Sequence, residues 1–388
     1  SGFQFLGSTS VEGSFNVKEV FAETLVPLVS DQAFAERLDL NLAARWADYS
    51  GSGGIWAYKA GLDWQVYSDL RLRGTYSRDV RAATLSERFD SQGQGASAED
   101  PRILDEEGNP ISYAFGQTIG GNPEVDPEKA DTITIGTVYQ PSYFDGFSVS
   151  VDWYQIKVKG AIDQLGVQRI VDDCFAGAED LCDQITRADE PLPGEPVGRI
   201  TNIDNVFLNV DQAKVSGIDI ETTYNTQLEL FGGGAETLGF RALTSWLDEN
   251  SITNVGAQKD ERAGEIPPFG PGFPEWKATG NITYSNGPFT LFVQERFIGS
   301  AKRDNEDVEG IDINDNTVSA AYYTDLRLSY NIDAGNGSIE VFGNVTNVFD
   351  ENPPISASHF NFFGSTQVNE SVHGVLGRRF TLGARFRY

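Results

Sequence analysis

The last twelve residues, 377–388, alternate in polarity from Arg379 onward without a break. Phe380, Leu382, Ala384, Phe386 and Tyr388 share one parity; Arg379, Thr381, Gly383, Arg385 and Arg387 share the other. Successive side chains of a strand point to opposite faces, so this stretch predicts a strand with one apolar and one polar face. In a soluble sandwich the apolar face turns into a core. In an outer-membrane barrel it turns to lipid, and the terminal aromatic sits at the membrane–water interface.

The pattern recurs along the chain. Residues 38–46 set Leu38, Leu40, Leu42, Ala44 and Trp46 against Asp39, Asn41, Ala43 and Arg45, and 56–64, 70–77, 147–153, 276–284 and 322–330 follow the same rule. The polar faces carry Arg and Asp in mid-strand, which suits the outside of a sandwich or the wet lumen of a wide barrel. Aromatics decide between them. Trp56 and Trp64, Trp276 and Tyr284, and Tyr322 and Tyr330 bracket their apolar faces, as rings of the headgroup zone do. Connections alternate as well: 67–69, 140–146, 285–288 and 333–337 are short, whereas 83–127, 161–205, 250–274, 300–320 and 349–376 are long and rich in Gly, Pro, Asp and Asn. Plain turns at one rim and elaborate loops at the other predict an all-β, transmembrane antiparallel barrel with roughly thirteen strands in this chain.

Composition narrows the function. Aromatics make up 12% of the chain while all hydrophobics reach only 39%, as expected of a wall that is apolar on one face alone. No apolar run of about eighteen residues is present, so no transmembrane helix is expected. The start resembles no signal peptide and the chain holds no Met, so it reads as a piece of something longer. A net charge of −28 argues against a nucleic-acid partner, which needs a basic footprint; it fits a solvated acidic surface or, alternatively, a cationic ligand. The two cysteines, Cys174 and Cys182, stand in a segment, 165–187, that reads as helical. A local disulfide is expected, which implies an oxidising compartment; two buried free thiols are the alternative.

Six motifs in order give a family resemblance: FNVKEVFAETLVPL (15–28), TYSRDVRAATLSERF (75–89), GNPEVDPEKADTITIGTVYQP (121–141), NVDQAKVSGIDIE (209–221), EVFGNVTNVFDENPP (340–354) and LGRRFTLGARFRY (376–388). Together they resemble the C-terminal part of the barrel of TonB-dependent outer-membrane receptors. The resemblance implies that residues 1–388 form roughly the last thirteen strands of a 22-stranded barrel, with no plug domain and no TonB box in this chain. An open arc would leave two unpaired edges in lipid, so the piece is not expected to be stable alone. It also implies an outer-membrane receptor whose loops and lumen bind a scarce nutrient. Import would be driven by a TonB-type energy-coupling complex acting through an N-terminal plug. The alternative is a passive porin-like or surface-adhesion barrel.

No enzyme motif and no cofactor site is evident; His359 and His373 read as surface loop histidines. Asp312, Asn314 and Asn316 match the opening of a calcium loop, but Thr317 stands where glycine should and Tyr323 where the closing Glu should, so no metal is assigned. Phe269, Phe273, His359, Phe360, Phe362 and Phe363 stand in Pro/Gly-rich loops and are candidates to stack a ligand. Arg78 and Arg81 are candidates to meet an anionic ligand, or else to pair with acidic loops. In the family the ligand is a siderophore, haem, cobalamin, oligosaccharide or peptide; the acidic loops favour a neutral sugar or a peptide.

Overall fold

The computed structural model describes residues 7–8, 12–190, 197–231, 236–253, 259–335, 337–357 and 367–387. Thirteen strands pair in chain order into one antiparallel sheet. They are β1 (Val17–Gln32), β2 (Ala35–Tyr49), β3 (Gly53–Tyr67), β4 (Leu70–Arg81), β5 (Glu128–Tyr139), β6 (Phe147–Asp163) and β7 (Leu208–Leu228). The remainder are β8 (Glu236–Thr253), β9 (Trp276–Asn286), β10 (Phe289–Ile298), β11 (Ala321–Asp333), β12 (Ser338–Thr346) and β13 (Arg379–Arg387). The count is the one the periodicity predicts. β1 and β13 each have a single neighbour, so the sheet is an arc of a barrel with two edges.

The apolar faces line up on the convex side and no described residue covers the last strand's: Leu382 is 88% exposed, Phe380 73% and Phe386 61%. That exposure suits lipid as the solvent and would be ruinous in water. Two rows of rings bound the band. On the loop side stand Tyr58 and Tyr76, Trp246 and Trp276, and Phe297 and Tyr322; on the turn side stand Phe147 and Tyr224, Tyr284 and Phe289, and Tyr330. Trp276 and Tyr284 lie on one strand, at a separation of about 26 Å from a rise of ~3.3 Å per residue, or roughly 20 Å along the membrane normal at the usual tilt.

One rim carries short turns, at 33–34, 68–69, 140–146, 229–235, 287–288 and 334–337. The other carries 82–127, 164–207, 254–275, 299–320 and 347–378, together with one short turn at 50–52. The segment expected to be a single helix is instead two short ones, Val167–Phe175 and Glu179–Cys182, followed by a strand, Ile185–Arg187. Gly177, at φ 110°, ends the first helix. Residues eight apart on one continuous helix stand about 12 Å apart, too far for a disulfide. The break brings the Cα atoms of Cys174 and Cys182 to 4.8 Å and the bond forms.

Candidate functional site

The concave face of the wall is a ladder of ion pairs. Inward parity brings together Arg45 and Glu19, Arg71 and Asp63, Arg241 and Glu221 (2.7 Å), Arg296 and Asp325 (3.5 Å), and Arg327 and Glu340 (2.6 Å). Arg73 on β4 reaches Asp152 on β6 at 2.7 Å, across the whole width of β5. Register places Gly136 between them, and a Cβ there would lie 1.9 Å from Asp152 Oδ1, so glycine makes the bridge possible. Towards the turn rim, Thr223, Asn225, Arg241, Asn281 and Thr283 line a polar recess of about 860 Å³.

Above the ladder the long loops fold into two assemblies. The first comes from 82–127 and 164–207. Strands Ser91–Leu104, Pro110–Gly120, Ile200–Val206 and Ile185–Arg187 form a sheet of their own with Gly7–Ser8 at one edge. Sequence periodicity misses it because Ser91–Leu104, rich in Gly and small residues, lacks a regular apolar alternation. Ala98, Phe115, Ile170, Val171, Ile200 and Ile203 make its core. Asp100 is fully buried and accepts Arg187 Nη1 at 2.7 Å, Arg187 Nη2 at 3.1 Å and the Tyr113 hydroxyl at 2.5 Å. Burial pushes its carboxyl up, but the Arg187 and Tyr113 hydrogen bonds outweigh that and hold it below the usual carboxylate range. Burial, then the bond to Asp100, pushes Tyr113 up to about 12.

The second assembly comes from 254–275, 299–320 and 347–378. Its core is small: Ile266, Ile298, Val318, Ala321 and Tyr323. Asparagine side chains do most of the tying. Asn305 Nδ2 donates to the carbonyls of Glu261 and Ala263, both at 2.9 Å, and Asn369 Nδ2 to those of Pro267 at 2.6 Å and Gly270 at 3.1 Å. Ser356 Oγ donates to the Ile266 carbonyl at 2.8 Å. Burial, with Asp304 and Asp260 nearby, pushes Glu265 up to about 7 although the Asn305 N–H donates to it. His373 is buried, its Nδ1 3.4 Å from the Tyr323 hydroxyl and its Nε2 without a hydrogen-bond partner. The surface reading of this histidine is therefore corrected; desolvation lowers its pKa.

Among the described residues, the expected site residues do not converge. Arg78 shares the outward parity of Tyr76 and cannot face the vestibule; it pairs with Asp131 at 2.7 Å and lies over the Tyr58 ring. Arg81 points inward, but Glu87 and Glu128 occupy its donors at 2.6–2.9 Å. Phe269 is exposed in its loop, whereas Phe273 is half-buried and its backbone bridges to Glu265. His359, Phe360, Phe362 and Phe363 lie outside the described residues. Asn316 is buried, and its side chain accepts from the Arg303 and Asp304 N–H groups and donates to the carbonyls of Asp304 and Asp307, so it ties a loop. Among the described residues no cluster of three acidic, His or Cys groups is placed to hold a metal. Asp100, Arg187, Tyr113 and Glu265 escape the sequence reading, because their importance arises from burial and not from spacing.

Residues 4–348 match the family described as TonB dependent receptor-like, beta-barrel. The chain belongs to the TonB-dependent receptors. No curated protein sequence matches it. Solved receptors of this kind share the fold at low identity. The ferric enterobactin receptor PfeA of Pseudomonas aeruginosa, in an arginine-to-alanine variant bound to enterobactin, aligns with a TM-score of 0.63 and 15% identity over 95% of this chain and 45% of its own. The siderophore receptor PirA of Acinetobacter baumannii gives 0.60 and 13% over 96% and 46%. This TonB-dependent receptor chain thus spans under half the length of these structures. Its family consists of outer-membrane receptors and transporters, not enzymes.

Proposed function

We propose that this chain is the C-terminal portion of the barrel of an outer-membrane receptor that captures a scarce nutrient at its outer loops and upper lumen and imports it by TonB-coupled transport. The observation that carries the reading is the family match, joined to two built loop assemblies above a charged, wet lumen face. Coupling would run through a plug seated against the polar recess near the turn rim. Capture, plug movement and release then require only that the ligand bind the closed and energised states with different affinity. The acidic outer surface favours a neutral or cationic ligand, an oligosaccharide or peptide, over a strongly anionic ferric chelate. The fold neighbours are siderophore receptors, so a siderophore is the alternative.

The test is uptake by cells carrying the full-length receptor, with labelled oligosaccharides, peptides and ferric siderophores supplied in turn. Accumulation of one class that stops on collapse of the proton gradient supports the proposal. Accumulation that is indifferent to the gradient, with open-channel conductance in planar bilayers, would mark a passive pore and reject it.

A further inference from the structure

The chain is strongly acidic, yet its cations are unevenly placed. Five of its nine lysines, Lys129, Lys157, Lys159, Lys214 and Lys259, gather with Arg78 at the loop-side ends of β4 to β8. Register fixes their direction. Arg78, Asp131, Lys157 and Lys214 form one row across β4–β7, and Lys129 pairs with Lys159 in the next. These positions share the parity of Tyr76, Ile135, Trp153 and Ile218, the apolar convex face, so the cations leave the wall sideways and not into the lumen. Three carboxylates stand among them. Asp131 is engaged by Arg78 at 2.7 Å, with Lys159 at 3.8 Å; Glu249 holds Lys214 at 2.5 Å and Lys259 at 2.7 Å, and Glu261 holds Lys259 at 2.8 Å. Lys129 and Lys157 have no carboxylate partner among the described residues.

Height matters as much as direction. Arg78 lies two residues beyond Tyr76 of the loop-side ring row, and Lys157 four beyond Trp153. At ~3.3 Å per residue that is about 7–13 Å further along the strand, the level at which headgroups meet an embedded wall. Lysines bury their methylene stems along the apolar face and lift the ammonium to that level.

We propose that this outward patch binds the phosphate of a lipid headgroup in the surrounding leaflet, with Lys129 and Lys157 as its unpaired donors and Arg78, Lys159 and Lys214 closing the rim. The proposal rests on the outer-membrane reading given above. A lipid is favoured over a free anion because the patch is convex. It offers a dissolved phosphate no converging cavity, in a chain whose overall charge repels it, whereas a headgroup is already held at this height by its acyl chains.

The full-length receptor, reconstituted in phosphatidylcholine vesicles, is probed with spin-labelled phosphatidic acid and spin-labelled phosphatidylcholine. The readout is the share of each label that is motionally restricted at the protein surface. The expected result is a preference for phosphatidic acid of about five-fold. It should fall towards unity in the triple variant Lys129→Gln, Lys157→Gln, Lys159→Gln and persist in Arg241→Gln, which changes a lumen cation. Restricted lipid with equal affinity for both labels, or a preference that survives the triple substitution, overturns the headgroup site and leaves the receptor reading standing. Displacement of the labelled acid by inorganic phosphate at equal concentration assigns the patch to a free anion and also overturns it. Absence of restricted lipid of either kind would mean that the convex face meets no bilayer, and the outer-membrane reading would fall with it.

Discussion

The two loop assemblies rise from the same wall and are held by opposite means. The one built from 82–127 and 164–207 has a backbone ladder, a core of six apolar residues, a buried ion pair and a disulfide. The one built from 254–275, 299–320 and 347–378 has little regular structure among its described residues and is tied by Asn and Ser side chains to carbonyls of neighbouring loops. The sequences explain the difference. EIPPFGPGFPEW lacks N–H groups at its prolines and cannot sustain a ladder, so its carbonyls need donors from elsewhere, and the asparagine amide supplies two. One assembly behaves as a small domain; the other is a lashing of separate strands of chain.

The largest way to break this contrast is Asp100→Ala. It strands Arg187 in a buried site and should cost about 3–5 kcal/mol of local stability. Amide hydrogen exchange across Ser91–Leu104 and Pro110–Gly120 should accelerate strongly while 259–275 is unchanged. Next is the double substitution Cys174→Ser, Cys182→Ser. A closed loop this short should contribute roughly 2.5 kcal/mol by chain entropy, read as faster exchange and proteolytic nicking near Gly177.

A smaller effect sharpens the contrast through pH. Glu265 holds its proton in the folded loops up to about 7, above its unfolded value, so its contribution is full below ordinary carboxylate pH and is lost as pH rises through 7. His373 has the opposite sign: its folded pKa is lowered, so acidification below the ordinary histidine value weakens the same assembly. Glu265→Gln should therefore remove the loss of protection seen between about pH 5 and 7.5 and leave only the His373 slope. The disulfide-tied assembly should show neither. Smallest of all, Arg81→Gln should shift stability by about 1 kcal/mol, since Arg81 itself is well exposed and Glu87 and Glu128 each keep a backbone N–H, from Thr84 and Ile162.

The wall was legible in the sequence because its physics is periodic. Parity predicts the face of strand residues between the bulges that shift register in β1, β3 and β8, and it also carries the correction to Arg78, which stands in step with Leu70, Leu72 and Tyr76. The loop assemblies were not legible because nothing repeats in them. Asp100 and Arg187 meet across a long stretch of chain, and His373 reaches Tyr323 only when two loops fold over β11. The cysteines lie between these cases. Their proximity in sequence foretells the bond, while the helix drawn through both of them is incompatible with forming it.

The lumen ladder has a consequence for anything that passes along it. Because most of its guanidiniums are matched by a carboxylate a few ångströms away, with Arg327, Arg385 and Arg387 sharing Glu340, the surface is mostly a string of dipoles and not a charged lining. Fields of such dipoles die away faster than those of single charges, and salt shortens their reach further. A solute drawn inward is then neither trapped nor turned back at a distance. It is read only at contact, by the hydrogen bonds it can exchange with the wall.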